Sequence, residues 1–123
     1  MQSLLFTMTE VPEMALDTAK RPSPVVLKGS FPTVAESFLA LRASILQAGS
    51  LDQKTQELIV LAGFTVARQE SGFKSHARRA LDHGASPEDV KTAVVVTLGA
   101  VASIELVGDA LRWVEEVLAE RGS

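Results

Sequence analysis

The 123 residues carry 12 Lys and Arg against 15 Asp and Glu, a formal charge of −3, and 46% of them are apolar. Such a chain suits one folded domain with its own core and argues against intrinsic disorder, while the balanced charge gives no basic footprint for nucleic acid. There is no cysteine, which excludes disulfides, thiolate metal sites and thiol redox catalysis.

In chain order, MQSLLFTMTE has no basic start and Glu10 cuts its short apolar segment, so a secretory signal is not expected and the default location is cytoplasmic. Val11–Ala19 suits a short helix begun by Pro12. Lys20–Pro32, KRPSPVVLKGSFP, combines breakers with polar residues and reads as an extended connector. Residues 1–32 thus stand apart from a helical domain over 33–123. Thr33-Val-Ala-Glu36 has capping-box spacing, with Phe38, Leu39, Leu41, Ile45 and Leu46 following at helical intervals until Gly49. Ser50-Leu-Asp-Gln53 opens the next helix, which carries Leu58, Ile59, Leu61, Ala62 and Val66 on one broad face. A turn is expected between Gln69 and Gly72. Phe73, Ala77, Ala80 and Leu81 mark a further helix that stops at Gly84. Ser86-Pro87-Glu88-Asp89 is the clearest start signal: Ser as N-cap, Pro in the first position, then acids at the positive end of the dipole. The last helix places Leu106, Ala110, Trp113, Val114 and Leu118 on one side, with Glu115, Glu116, Glu120 and Arg121 largely outside. The domain reads as all-α, with five to six helices.

The uncharged stretch Thr92–Ile104 is thirteen residues long, short of the ~20 a spanning helix needs. Its apolar residues, Ala93 to Val96, Leu98, Ala100 to Ala102 and Ile104, go all the way round a helix. A helix apolar on every face must be covered on every face, which predicts a homo-oligomer.

Two histidines are present, His76 and His83. Two helical turns apart, at about 10 Å along the axis, they do not make a metal pair. His83 reads as a C-terminal charge beside Gly84. His76 lies in SGFKSHARRA, within a segment holding Arg68, Lys74, Arg78 and Arg79 against the single acid Glu70; such a segment is a solvated face or a lure for a small anion. Glu57 is a carboxylate in an apolar-periodic helix. If its helix and that of His76 fold back on each other near Gln69, the two residues come to similar levels, about 15 Å and about 10 Å from the turn. A Glu–His couple in a partly dry site suits proton transfer, the Glu orienting the imidazole; the plainer reading is a satisfied core pair. Glu105, a lone acid closing the apolar stretch, fits a break between the last two helices.

ELIVLAGFTVARQESGFKSHARRALDHGASPEDV resembles the carboxymuconolactone decarboxylase family, which includes the alkylhydroperoxidase-D-like proteins. The resemblance runs from about residue 33 to 118. It lies in Glu57 nineteen residues before His76, in Gly84, and in Ser86 to Asp89. It implies an all-α domain built around antiparallel helix hairpins and assembled as a trimer or hexamer. In the peroxidase branch a Cys-x-x-Cys pair precedes the His; the matching positions here are Gln69 and Gly72, so the thiol mechanism does not carry over. The decarboxylase branch keeps the His, often with an Arg two residues later, as Arg78 is. The Gly-x-Pro break of many relatives reads Ser103-Ile-Glu105 here.

The resemblance implies a cofactor-free enzyme that decarboxylates a small carboxylated lactone or keto acid and protonates the enolate left behind. His76 is then the proton donor, Glu57 its partner, and Arg78, with Lys74 second, the anion binder. No metal, nucleic acid or membrane enters this reading. The alternative is a thiol-less relative acting as an oligomeric binding or scaffold protein.

Overall fold

The short aliphatic run behind Ser23 and Pro24 makes a helix, α1 (Ser23–Ser30), where an extended connector was expected. Proline in a first turn costs no hydrogen bond, because the N–H it lacks would have no intrahelical acceptor. The computed structural model describes residues 23–122; the expected helix over Val11–Ala19 and the start of the connector lie outside them. Backbone bonds from Phe31 N to Leu27 O (2.7 Å) and Ala35 N to Phe31 O (3.0 Å) lead from α1 into α2 (Pro32–Leu46). Pro32 therefore occupies the first position of α2, one residue before the expected capping box. The chain divides into two units at Ile45/Leu46, and the candidate site lies wholly in the second.

In that unit Gly49, at φ +71°, makes the turn after α2. The cap of α3 (Gln53–Ala67) is Asp52, not Ser50: its Oδ1 accepts from Thr55 N at 2.8 Å. Gln56 Nε2 ties the turn to α3 by donating to the carbonyls of Leu46 (3.1 Å) and Leu51 (2.8 Å). Arg68 takes the left-handed conformation (φ 57°) and ends α3. Only Arg68 and Gln69 separate it from α4 (Glu70–Asp82), and so short a link makes the two helices antiparallel neighbours. They form the most extensive helix contact in the unit.

Gly84, at φ +99°, stops the chain after α4 as expected. The Ser86 box is also present: Ser86 Oγ accepts from Asp89 N and Asp89 Oδ2 from Ser86 N, both at 3.0 Å, at the start of α5 (Pro87–Val95). The expected long apolar helix is not there. Helix α5 stops at Val95, and Gly99 takes φ +80°. The buried Thr97 gathers the turn, its carbonyl accepting from Ala100, Val101 and Ala102 N at 3.0–3.1 Å. The apolar side chains therefore line a turn, and Val96 and Val101 are 64% and 66% exposed. Ser103 caps α6 (Ile104–Arg121), accepting from Leu106 N, and Glu105 sits exposed in the first turn of α6, where the dipole favours an acid.

Leu61 of α3, Phe73, Ala77 and Ala80 of α4, Val90 and Val94 of α5, and Val107, Ala110, Val114 and Val117 of α6 form one buried core. Phe73 and Trp113 stack at a tilt, centroids 5.4 Å apart. Burying a side chain of this size is worth about 1.5–3 kcal/mol, so this core fixes how α3 and α4 face each other. No helix among the described residues is long and apolar enough to cross a membrane.

Candidate functional site

A carboxylate stands among the largest fully buried side chains: Glu57, 1% exposed, shares the inner face of α3 with Leu61 and Thr65. Thr65 satisfies its own hydroxyl on the Leu61 carbonyl at 2.9 Å. Glu57 has no such local solution, and a buried carboxylate without a partner is costly. Its partner comes from α4. The α3–α4 turn brings His76 opposite, and Nδ1 of the imidazole lies 2.5 Å from Glu57 Oε1. A carboxylate that is ionised only accepts, and Nδ1 facing it is then the nitrogen that donates. The His76 side chain is 13% exposed, and its Nε2 has no hydrogen-bond partner among the described residues. Glu57 Oε2 is buried and likewise unpartnered. The couple expected from sequence is thus in direct contact, with no water needed between the two side chains.

Phe64, two turns beyond Glu57 on α3, closes one side of the pair, its ring 5.3 Å from the imidazole at a tilt of 38°. The same ring lies over Gly72, one turn before His76 on α4. A Cβ at position 72 would fall 2.5 Å from its Cε1 and 2.6 Å from its Cζ. Sequence reading passed over Phe64. The available signal was its spacing, seven residues after Glu57 and so on nearly the same helix face.

The two cations named as anion binders do not join the pair. Arg78 Nε and Nη2 bond Glu120 at 2.5 and 3.3 Å. Lys74 Nζ sits between Glu70 (2.7 Å) and Glu116 (2.5 Å). Residues two apart on a helix do not share a face, so Lys74 and Arg78 lean on α6 while His76 meets α3. Burial lowers the Lys74 ammonium, but the hydrogen bonds to Glu116 and Glu70 outweigh it and leave its pKa above the ordinary lysine value. The hydrogen bond from Arg78 holds the Glu120 carboxyl below the usual range. Together with Arg121–Asp82 (2.9 Å), these pairs run a ladder of charge between α4 and α6. His83 caps α4, with Nδ1 2.8 Å from the Arg79 carbonyl. Among the described residues, no group of three or more His, Asp and Glu is placed to hold a metal ion.

A groove of about 630 Å³ lies elsewhere on α3, between its Thr55, Leu58, Ile59 and Ala62 and the Glu88, Asp89, Thr92 and Ala93 side of α5, with Val96 just past its end. Glu57 and His76 do not line it.

The described residues form an all-α domain in which one helix hairpin buries a Glu–His pair. The sequence model of the carboxymuconolactone decarboxylase family matches residues 32–116, and the chain belongs to that family. A solved structure of a carboxymuconolactone decarboxylase family protein from Thermotoga maritima, for which a role in antioxidative response has been suggested, is similar in fold. It has a TM-score of 0.60 and 24% identity over 93% of this chain and 92% of that one. No curated protein matches the chain significantly.

Proposed function

We propose that the protein is a cofactor-free decarboxylase of small carboxylated lactones or keto acids, with His76 as general acid and Glu57 as the residue that orients it. The observation that carries this reading is the pair itself: Nδ1 is held on a buried carboxylate, and Nε2 has no hydrogen-bond partner among the described residues. Loss of CO2 from such a substrate places the electron pair of the broken C–C bond in an enolate. The Nε2 proton of the imidazolium goes to the enolate carbon, which leaves a neutral imidazole to be reprotonated from solvent. Glu57 holds Nδ1 throughout, so the Nε2 proton is the one available for transfer. Arg78 and Lys74 are committed to α6, so the reading rests on the pair and not on a built carboxylate clamp. Family membership supports the chemistry, and the absence of cysteine is in keeping with a proton-transfer site in place of a thiol one.

The test is a panel of carboxylated lactones and keto acids assayed with wild type and His76→Gln. Glutamine retains an N–H for Glu57 but cannot act as a general acid, so the rate should fall by about 10²–10⁴. Equal rates would refute the assignment.

The groove between α3 and α5 favours a second reading, a non-catalytic oligomeric binding protein, because the concavity is mainly apolar and stands apart from the pair. In that case no panel member turns over. In both readings we propose a homo-oligomer, a trimer or hexamer, in which a neighbouring copy covers exposed apolar residues such as Ile59, Val96 and Val101.

A further inference from the structure

We infer that Phe64 is a positioning residue for His76, and that it can act so only because position 72 has no side chain. Three observations meet here. The Phe64 ring packs beside the imidazole at 5.3 Å. It occupies the volume that any Cβ at position 72 would need, at 2.5–2.6 Å. And Gly72 lies one turn before His76 on α4, so both present the same face to the ring.

The Glu57–His76 hydrogen bond alone leaves the imidazole a hinge. It holds Nδ1 on Oε1 only while the ring keeps its place; a ring that swings away breaks the contact and lets either nitrogen carry the proton. A rigid, half-buried aromatic side against the imidazole removes the swing. Phe64 is itself seated by the helix backbone at Gly72 and by the core behind it. Gly72, Phe64 and His76 therefore stack in series: the glycine admits the phenyl ring, and the phenyl ring sets the imidazole plane. Any side chain at position 72 must displace Phe64, and with it the surface on which His76 rests. The consequence for catalysis rests on the role proposed for His76 above; the positioning itself does not.

The test reads the histidine directly and needs no substrate. The chain has two histidines, so long-range ¹H–¹⁵N spectra of the imidazoles hold two sets of signals, and His83, in the C-cap of α4, is the internal control. In wild type the neutral His76 should be a single tautomer with its proton on Nδ1. Phe64→Ala and Gly72→Ala should each bring in the second tautomer and average its ring ¹⁵N shifts, with His83 unchanged. In the double variant Gly72→Ala/Phe64→Ala the new methyl has room, so the spectrum should match that of Phe64→Ala. A single unchanged tautomer in folded Phe64→Ala and Gly72→Ala overturns the inference. If Phe64→Ala does not fold, Gly72→Ala decides alone, because it keeps the ring and only moves it. A wild type that turns over no substrate would refute the proposed function and leave this result standing.

Discussion

Replacing His76 by Ala should damage the fold before it says anything about catalysis. The Glu57 carboxylate is 1% exposed, and among the described residues one of its oxygens lacks a partner and the other has His76 alone. Deleting the imidazole leaves both oxygens unpaired in a dry setting. Removing one member of a buried charged pair costs about 3–5 kcal/mol. His76 is 13% exposed, so water can enter the vacated space, which places the cost near the lower end, at ~3 kcal/mol. Against a typical total of ~5–15 kcal/mol this is a large loss, and for a chain of this size it corresponds to a fall in Tm of about 10 °C. Removing the carboxylate as well should recover stability. Glu57→Leu/His76→Ala removes the charge as well as its partner, fills most of the carboxylate's volume with apolar atoms, and should be more stable than His76→Ala alone. Thermal and urea melts of wild type, both single variants and the double variant at neutral pH measure this. A His76→Ala loss within about 0.5 kcal/mol, the range of an ordinary surface change, would refute it, as would a double variant no more stable than His76→Ala.

The Glu120 carboxyl, held down by the Arg78 hydrogen bond, should add stability above the ordinary carboxylate pKa and lose it as pH falls through its lower folded value. Melting curves of wild type and Arg78→Ala should therefore differ at neutral pH and converge in acid; a constant separation contradicts this. Light scattering at micromolar concentration should give a trimer or hexamer mass, and ~13 kDa, the mass of one chain, would refute assembly. Peroxide reduction with a dithiol reductant should stay at the uncatalysed background, since the chain has no cysteine; turnover unaffected by a thiol blocker would overturn that account.

What could be read in the sequence was what local chemistry decides. Ser86-Pro87-Glu88-Asp89 carries its helix start in four adjacent residues, and the structure shows that start bond for bond. The Glu57–His76 contact was legible because a short turn near Gln69 makes helix arithmetic sufficient to align them, although the turn is Arg68 and Gln69 alone and Gly72, expected in it, lies inside α4. Thr92–Ile104 misled because apolar periodicity says nothing of the left-handed Gly99, which folds the run into a turn. Lys74 and Arg78 misled for a different reason. Their partners Glu116 and Glu120 lie 42 residues away, and only the docking of α6, fixed by the whole core, aligns those two matched i, i+4 pairs. Phe64 was hidden in an apolar run where nothing local separates a wall of the site from a core residue.

If His76, held by Glu57, delivers a proton to carbon, the product carries the record. The most direct measurement is to run the reaction in D2O over the panel of carboxylated lactones and keto acids and inspect the product. Wild type should place one deuterium at the carbon left as the enolate, in a single configuration, and His76→Gln should lose both rate and configuration. A racemic wild-type product, an unchanged configuration in His76→Gln, or no turnover across the panel would contradict it.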